Sequence, residues 1–134
     1  MKNNTLLSRQ SETQFSETFD KFYQEVIKNN TPVKLSDLKK EIKKLYPDTI
    51  FSVIKYNNYL YLNKILVRDK NKGIGKAILT RLCAFCDINN INLKLYPTNN
   101  FGSNFDRLIE FYYNFGFTFE CSGEMIRKPV CKNW

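Results

Sequence analysis

Residues Val67–Leu79, VRDKNKGIGKAIL, decide how this chain is read. An alternating apolar run ends there, charges follow, and Gly73-Ile74-Gly75 opens a helical pattern. A strand that turns through glycines into a helix gathers backbone N–H groups and the positive end of the helix dipole at one point. Gly73 and Gly75 carry no Cβ, so an anion can come close to the backbone. Lys70, Lys72 and Lys76 add positive charge around them. Such a turn suits a pyrophosphate.

The segments on either side place the turn in a fold. Thr49–Tyr56 is rich in β-branched and aromatic residues, Asn57-Asn58 is a two-residue hairpin turn, and Tyr59–Val67 returns as a longer strand. After the glycines a helix is predicted to about Ile88, with Ile78, Leu82 and Phe85 on one side and Asn89-Asn90 as its stop. Ile91–Tyr96 is a short strand, which makes Tyr59–Tyr96 a parallel strand–helix–strand unit. Pro97–Asn104 is a loop, and Phe105–Phe115 is a helix closed by Gly116 at C′. Phe117–Cys121 and Met125–Lys128 form a last hairpin around Ser122-Gly123.

Two helices are predicted upstream. Ser11-x-x-Gln14 reads as a capping box, and Phe15, Phe19, Phe22, Tyr23, Val26 and Ile27 follow at helical spacing. Ser36–Tyr46 places Leu38, Ile42 and Leu45 on one face, with Lys39, Lys40, Lys43 and Lys44 over the remainder as a solvated face or a docking patch. The fold class expected is α/β, with a mixed, incompletely parallel sheet, in a single domain spanning residues 1–134.

The composition narrows the chemistry. The chain has 134 residues and a net charge of +8, which reads either as a solubilising lysine coat or as attraction for anionic partners: nucleic acid, acidic protein faces or phosphorylated cofactors. It contains no histidine, which removes Ser-His-Asp and Cys-His catalysis and every His-ligated metal site. Cys83-Ala-Phe-Cys86 has the spacing of a zinc or redox knuckle but lies inside a helical pattern, so buried thiols are expected and no metal site. Leu6-Leu7 is too short for a signal-peptide core and no segment approaches a membrane span, so the expected location is cytoplasmic, with no membrane partner.

Two familiar phosphate loops do not fit. A Walker A loop needs Gly at position 70, where Lys70 stands, and Ser or Thr at Ala77. A Rossmann turn needs a third Gly where Ile78 stands. Lys70-Asn71-Lys72-Gly73-Ile74-Gly75 instead resembles motif A of the GNAT superfamily of N-acetyltransferases, R/Q-x-x-G-x-G/A after a strand. About forty residues on, Leu108–Phe117, LIEFYYNFGF, resembles that family's motif B, F-Y-x-x-x-G-F. The short loop, this motif and LKLYP upstream of it look like very compact members, some of them phage-encoded, including an anti-CRISPR branch that modifies a lysine.

The resemblance implies acetyl-CoA as donor. It implies that the strands 59–67 and 91–96 splay to form a slot for pantetheine, with the pyrophosphate on the amides of Lys72, Gly73, Ile74, Gly75, Lys76 and Ala77. A backbone N–H near Leu66 or Val67 would face the oxyanion, and Tyr112, in the motif's Tyr position, would protonate the leaving thiolate. From spacing alone, Tyr112 belongs to an apolar helical stripe with Phe105, Leu108 and Phe115, and such stripes are usually core; Tyr113 is the fallback donor. Glu110, Glu120 or Glu124 could take the amine's proton, as could solvent. The charge favours a lysine or N-terminus of a protein as acceptor over a small cation. The acceptor is expected to approach Pro97–Asn104, the 57–58 hairpin tip and the 122–123 hairpin. The rival reading is a non-catalytic basic module that binds nucleic acid or a protein, with lysines on phosphates and aromatics on bases.

Overall fold

A computed structural model describes residues 23–26, 31–67, 73–98 and 105–130. Residues 23–26 are helical, followed by α1 (Leu35–Leu45), β1 (Ile50–Lys55), β2 (Tyr59–Leu66), α2 (Ile74–Asn89), β3 (Asn92–Leu95), α3 (Phe105–Tyr113), β4 (Thr118–Phe119) and β5 (Met125–Arg127). The order agrees with the sequence expectation. The expected capping box at Ser11–Gln14 lies outside the described residues.

The five strands form one mixed sheet in the order β1-β2-β3-β5-β4. β2 and β3 are parallel, while β1–β2, β3–β5 and β4–β5 are antiparallel. At the Asn57-Asn58 turn the Tyr56 N–H donates to the Tyr59 carbonyl at 2.9 Å, as a two-residue hairpin requires.

One face of the sheet carries the core. Val53, Leu60, Leu62, Leu93, Leu95 and Met125 are buried on it, with Phe51 and Ile65 packed alongside. Between Leu62 and Lys64 the inward period slips by one. Val53 pairs with Leu62 and Ser52 with Lys64, so Asn63 is an extra residue on β2. A bulge of this kind lets Ile65 return to the core side and bends the strand that carries it.

The helix α2 departs from expectation. Instead of one apolar side, residues Ile78–Thr80 and Leu82–Asp87 are all buried. The sheet lies against it on one side and α1 on another, with Arg81 Nη1 meeting Glu41 Oε1 at 3.4 Å and Tyr23 reaching Asp87. In α1, Leu38 and Ile42 are buried as predicted, but Leu45 is 46% exposed. The four α1 lysines are exposed.

Helices α2 and α3 end on the same device. In α2 the Ile91 N–H donates to the Cys86 carbonyl and the Asn90 N–H to the Asp87 carbonyl, with Asn90 left-handed at φ 56°. In α3 the Phe117 N–H donates to the Tyr112 carbonyl and the Gly116 N–H to Tyr113, with Gly116 at φ 96°. Each is a Schellman ending, with Asn or Gly at C′ as the positive φ demands.

Candidate functional site

Three features meet where β2 leaves the sheet. The parallel ladder runs only from Tyr59–Asn92 to Leu62–Leu95. β2 continues to Leu66, and from Asn63 onward its ladder partners are on β1 alone. The bulge at Asn63 falls at the residue after the last β2–β3 pair, so the strand bends where its parallel partner ends. The side of β2 that faced β3 then offers backbone donors and acceptors with no strand partner among the described residues.

Beyond β2, the half-buried Val67 leads to the turn. Gly73 is left-handed at φ 71° and caps α2, with no side chain filling the cap. The Ala77 N–H donates to the Gly73 carbonyl at 2.9 Å and is the first helical bond. Helix geometry therefore gives the amides of Ile74, Gly75 and Lys76 no acceptor within α2. No acidic residue occupies this first turn. Among the described residues, a Cβ on Gly73 would meet nothing within 4 Å, and one on Gly75 only Val67 Cγ2 at 3.9 Å. Among the described residues nothing crowds this turn, and its electrostatics favour an anion. Of the predicted phosphate ligands, Gly73, Ile74, Gly75, Lys76 and Ala77 are in this turn, with Ile74 also resting on the core. Lys72, like Lys70, lies outside the described residues.

Tyr112 sits in the last turn of α3, half-buried against the core. Its ring meets Phe117 and Phe111 edge-on, each with centroids 5.6 Å apart. Burial raises its pKa, so the hydroxyl stays protonated at neutral pH. That hydroxyl makes no hydrogen bond to a described residue. Of its predicted stripe mates, Phe115 is buried and Phe105 is 42% exposed. Tyr113 is exposed and packs on Phe119. Among the candidate bases, Glu110 is exposed, Glu120 pairs with Lys94 at 3.6 Å, and Glu124 accepts from Ser122 at 3.4 Å.

Of the expected approach points for an acceptor, residues 99–104 of the loop lie outside the described residues, and the two hairpin tips do not lie together. A Cβ on Gly123 would lie 3.4 Å from Tyr96 Cε1, so the 122–123 hairpin and the start of the Pro97 loop are neighbours. Asn57-Asn58 precedes the Tyr59–Asn92 pair, at the opposite end of the parallel ladder from Leu95. A strand's direction fixes this separation, and the residue pattern of the hairpin alone did not include it.

The sequence reading missed a buried ionic cluster. Asp87 on α2 accepts from Arg127 Nη1 at 2.7 Å and Nη2 at 3.0 Å, from the Val130 N–H at 2.8 Å and from the Tyr23 hydroxyl. Arg127 Nε donates to the Phe115 carbonyl at 2.6 Å. The signal was present: Arg127 holds an inward position of the Met125–Arg127 strand, and Asp87 interrupts an apolar helix. Two opposite charges on inward positions call for each other. Cys83 and Cys86 are buried beside this cluster as expected, whereas Cys121 is exposed and Cys131 lies outside the described residues. Among the described residues no helix is long and apolar enough to cross a membrane.

Compared with known protein families, curated proteins and solved structures, the chain gives no match.

Proposed function

We propose that this chain is an acetyl-CoA-dependent N-acetyltransferase of GNAT type, acting on a primary amine of a protein. The observation that carries the reading is the coincidence at one end of β2: the β2–β3 ladder stops at Leu62–Leu95, Asn63 bulges, and the chain turns at Gly73 into α2. An unpaired strand edge suits an extended molecule rich in amides. The open, acid-free helix start suits a diphosphate at the end of it. Coenzyme A has both parts in that order.

Acetyl-CoA would supply an acyl group already activated as a thioester. The chain's residues would do the rest. The β2 edge at Leu66–Val67 would hold the donor and direct a backbone N–H at the carbonyl oxygen as the amine attacks. Gly73–Ala77 would hold the phosphates and fix the donor's position. Tyr112 would give its proton to the departing sulfur, a role that its burial-raised pKa permits. The amine must arrive neutral, and a free alkylamine with a pKa of about 10.4 is mostly protonated at neutral pH. Solvent or one of Glu110, Glu120 and Glu124 would take that proton.

One observation favours the rival reading. The sheet face away from the core carries Tyr59, Tyr61 and Tyr96, with Tyr56 stacked on Tyr59 at 4.9 Å and Lys94 Nζ 4.6 Å from the Tyr59 ring. Rings on an open sheet can stack bases. The Lys94 charge is engaged by Glu120, however, which weakens any phosphate contact from this face. Thermal unfolding separates the two readings. Acetyl-CoA at 100 times its Kd should add about 2.7 kcal/mol of stability. Stabilisation by oligonucleotides alone, lost steeply with salt, would establish the rival.

A further inference from the structure

The sheet's other end offers a second surface, unconnected with the glycine turn. β1 is an edge strand: its only described ladder partner is β2. Beside it runs α1, and between the two lies a groove of about 360 Å³ lined by Lys39, Ile42 and Lys43 from α1 and by Thr49–Val53. The Tyr56 N–H points inward to Tyr59, and β1 itself is regular, so alternation turns the amides of Lys55, Val53 and Phe51 outward. Ile50 and Ile54 are 56% and 42% exposed, so the edge is apolar as well as unpaired among the described residues. Natural sheets normally guard such edges with charge or cover. Here the only charged side chain within β1 is Lys55, at its end.

We propose that this groove receives an extended acidic segment of a partner protein, which adds to β1 as a sixth strand. The charge selects this occupant. Both ionisable residues lining the groove are lysines, and Lys40 and Lys44 stand exposed on the same helix. Asp48 precedes the strand but does not line the groove. A second copy paired edge to edge would bring the same lysine rims towards each other, on a chain already at +8. Backbone pairing supplies the affinity, the α1 lysines supply the selection, and Ile42 with Phe51 supplies an apolar floor for alternate side chains.

The test uses the full chain and a fluorescent eight-residue peptide alternating Glu with Val, followed by anisotropy at low salt. A peptide alternating Lys with Val, and the Glu peptide N-methylated on alternate amides, are the comparisons. The Glu peptide should bind at least tenfold tighter than either. Hydrogen exchange should slow at residues 50–55 when it is bound. Lys39→Glu with Lys43→Glu should weaken it at least tenfold with the Tm unchanged; if that pair fails to fold, Lys39→Gln with Lys43→Gln is expected to weaken it several-fold. Absence of binding up to millimolar peptide would overturn the proposal, as would equal affinity for the Lys or methylated peptide, or indifference to the lysine changes. Concentration-dependent dimerisation that protects 50–55 would assign the edge to a second copy instead. Stronger peptide binding after removal of residues 1–22 would assign it to the chain's own N-terminal segment.

Discussion

At the scale of single residues, two side chains carry opposite kinds of weight. In the proposed reaction Tyr112 matters for its proton. Its ring already packs between Phe111 and Phe117, so Tyr112→Phe keeps the contacts and removes only the hydroxyl. The variant should unfold within a degree or two of the parent yet turn over acetyl-CoA about 100-fold more slowly or worse, since general acids contribute roughly 10²–10⁴. A steady-state assay that finds less than threefold loss would remove Tyr112 from the chemistry. Asp87 matters for its charge. It balances Arg127 where both side chains are almost wholly buried, at 0% and 1% exposure. Asp87→Asn would keep the shape and strand a guanidinium in the core, at a cost of about 3–5 kcal/mol. Converting both partners, Asp87→Leu with Arg127→Met, should recover much of that loss, because it removes the uncompensated charge. Urea denaturation of the two variants distinguishes a true ion-pair effect from loss of packing, which would leave the double variant no better than the single.

At the scale of elements, the bulge in β2 is the feature with the sharpest consequence. Deleting Asn63 should leave Leu60, Leu62 and Ile65 facing the core in an uninterrupted ladder, because the bulge absorbs one surplus residue. The shortened chain is expected to fold. It should also straighten β2 beyond its last pair with β3, and if the proposed donor site depends on that bend the Kd for acetyl-CoA by calorimetry should rise at least tenfold, about 1.4 kcal/mol. Unchanged affinity would mean that the bend is unconnected with the donor. The residue pattern contained part of this element. Apolar residues at 60, 62 and 65 break a period of two, but a broken period does not say which neighbouring strand ends beside it. The caps were more legible: Gly116 at C′ follows from the residue itself, since only a positive φ closes the helix there. The short β4 and the exposure of Leu45 were not, because both depend on which neighbours the helices and strands find in space.

At the scale of the whole molecule, the core brings ionisable groups into one place that no single element predicts. Tyr23 from the N-terminal helical segment, Cys83, Cys86 and Asp87 from α2, and Arg127 from β5 meet behind the sheet. The sequence showed the thiols as buried and the tyrosine as apolar-facing, but their convergence required the β3–β5 pairing and the packing of α2 across it. Burial pushes the Cys83 thiol up from 9.0 to about 12. Cys86 moves the same way, chiefly by burial and then by the neighbouring Cys83. Burial also raises Tyr23, assisted by Asp87. In each case the folded state holds its proton more tightly than the unfolded chain, so between the two pKa values the folded form binds more protons. Stability from these groups is therefore intact below about pH 9 and declines as pH rises, by up to about 1.4 kcal/mol per pH unit for each group. Urea midpoints measured from about pH 7 to pH 11 should stay level and then fall from about pH 9, and Cys83→Ala with Cys86→Ala should make that fall shallower. A parent midpoint that holds level to about pH 11 would mean that water reaches the thiols, and that the packing of α2 behind the sheet is looser than its burial implies.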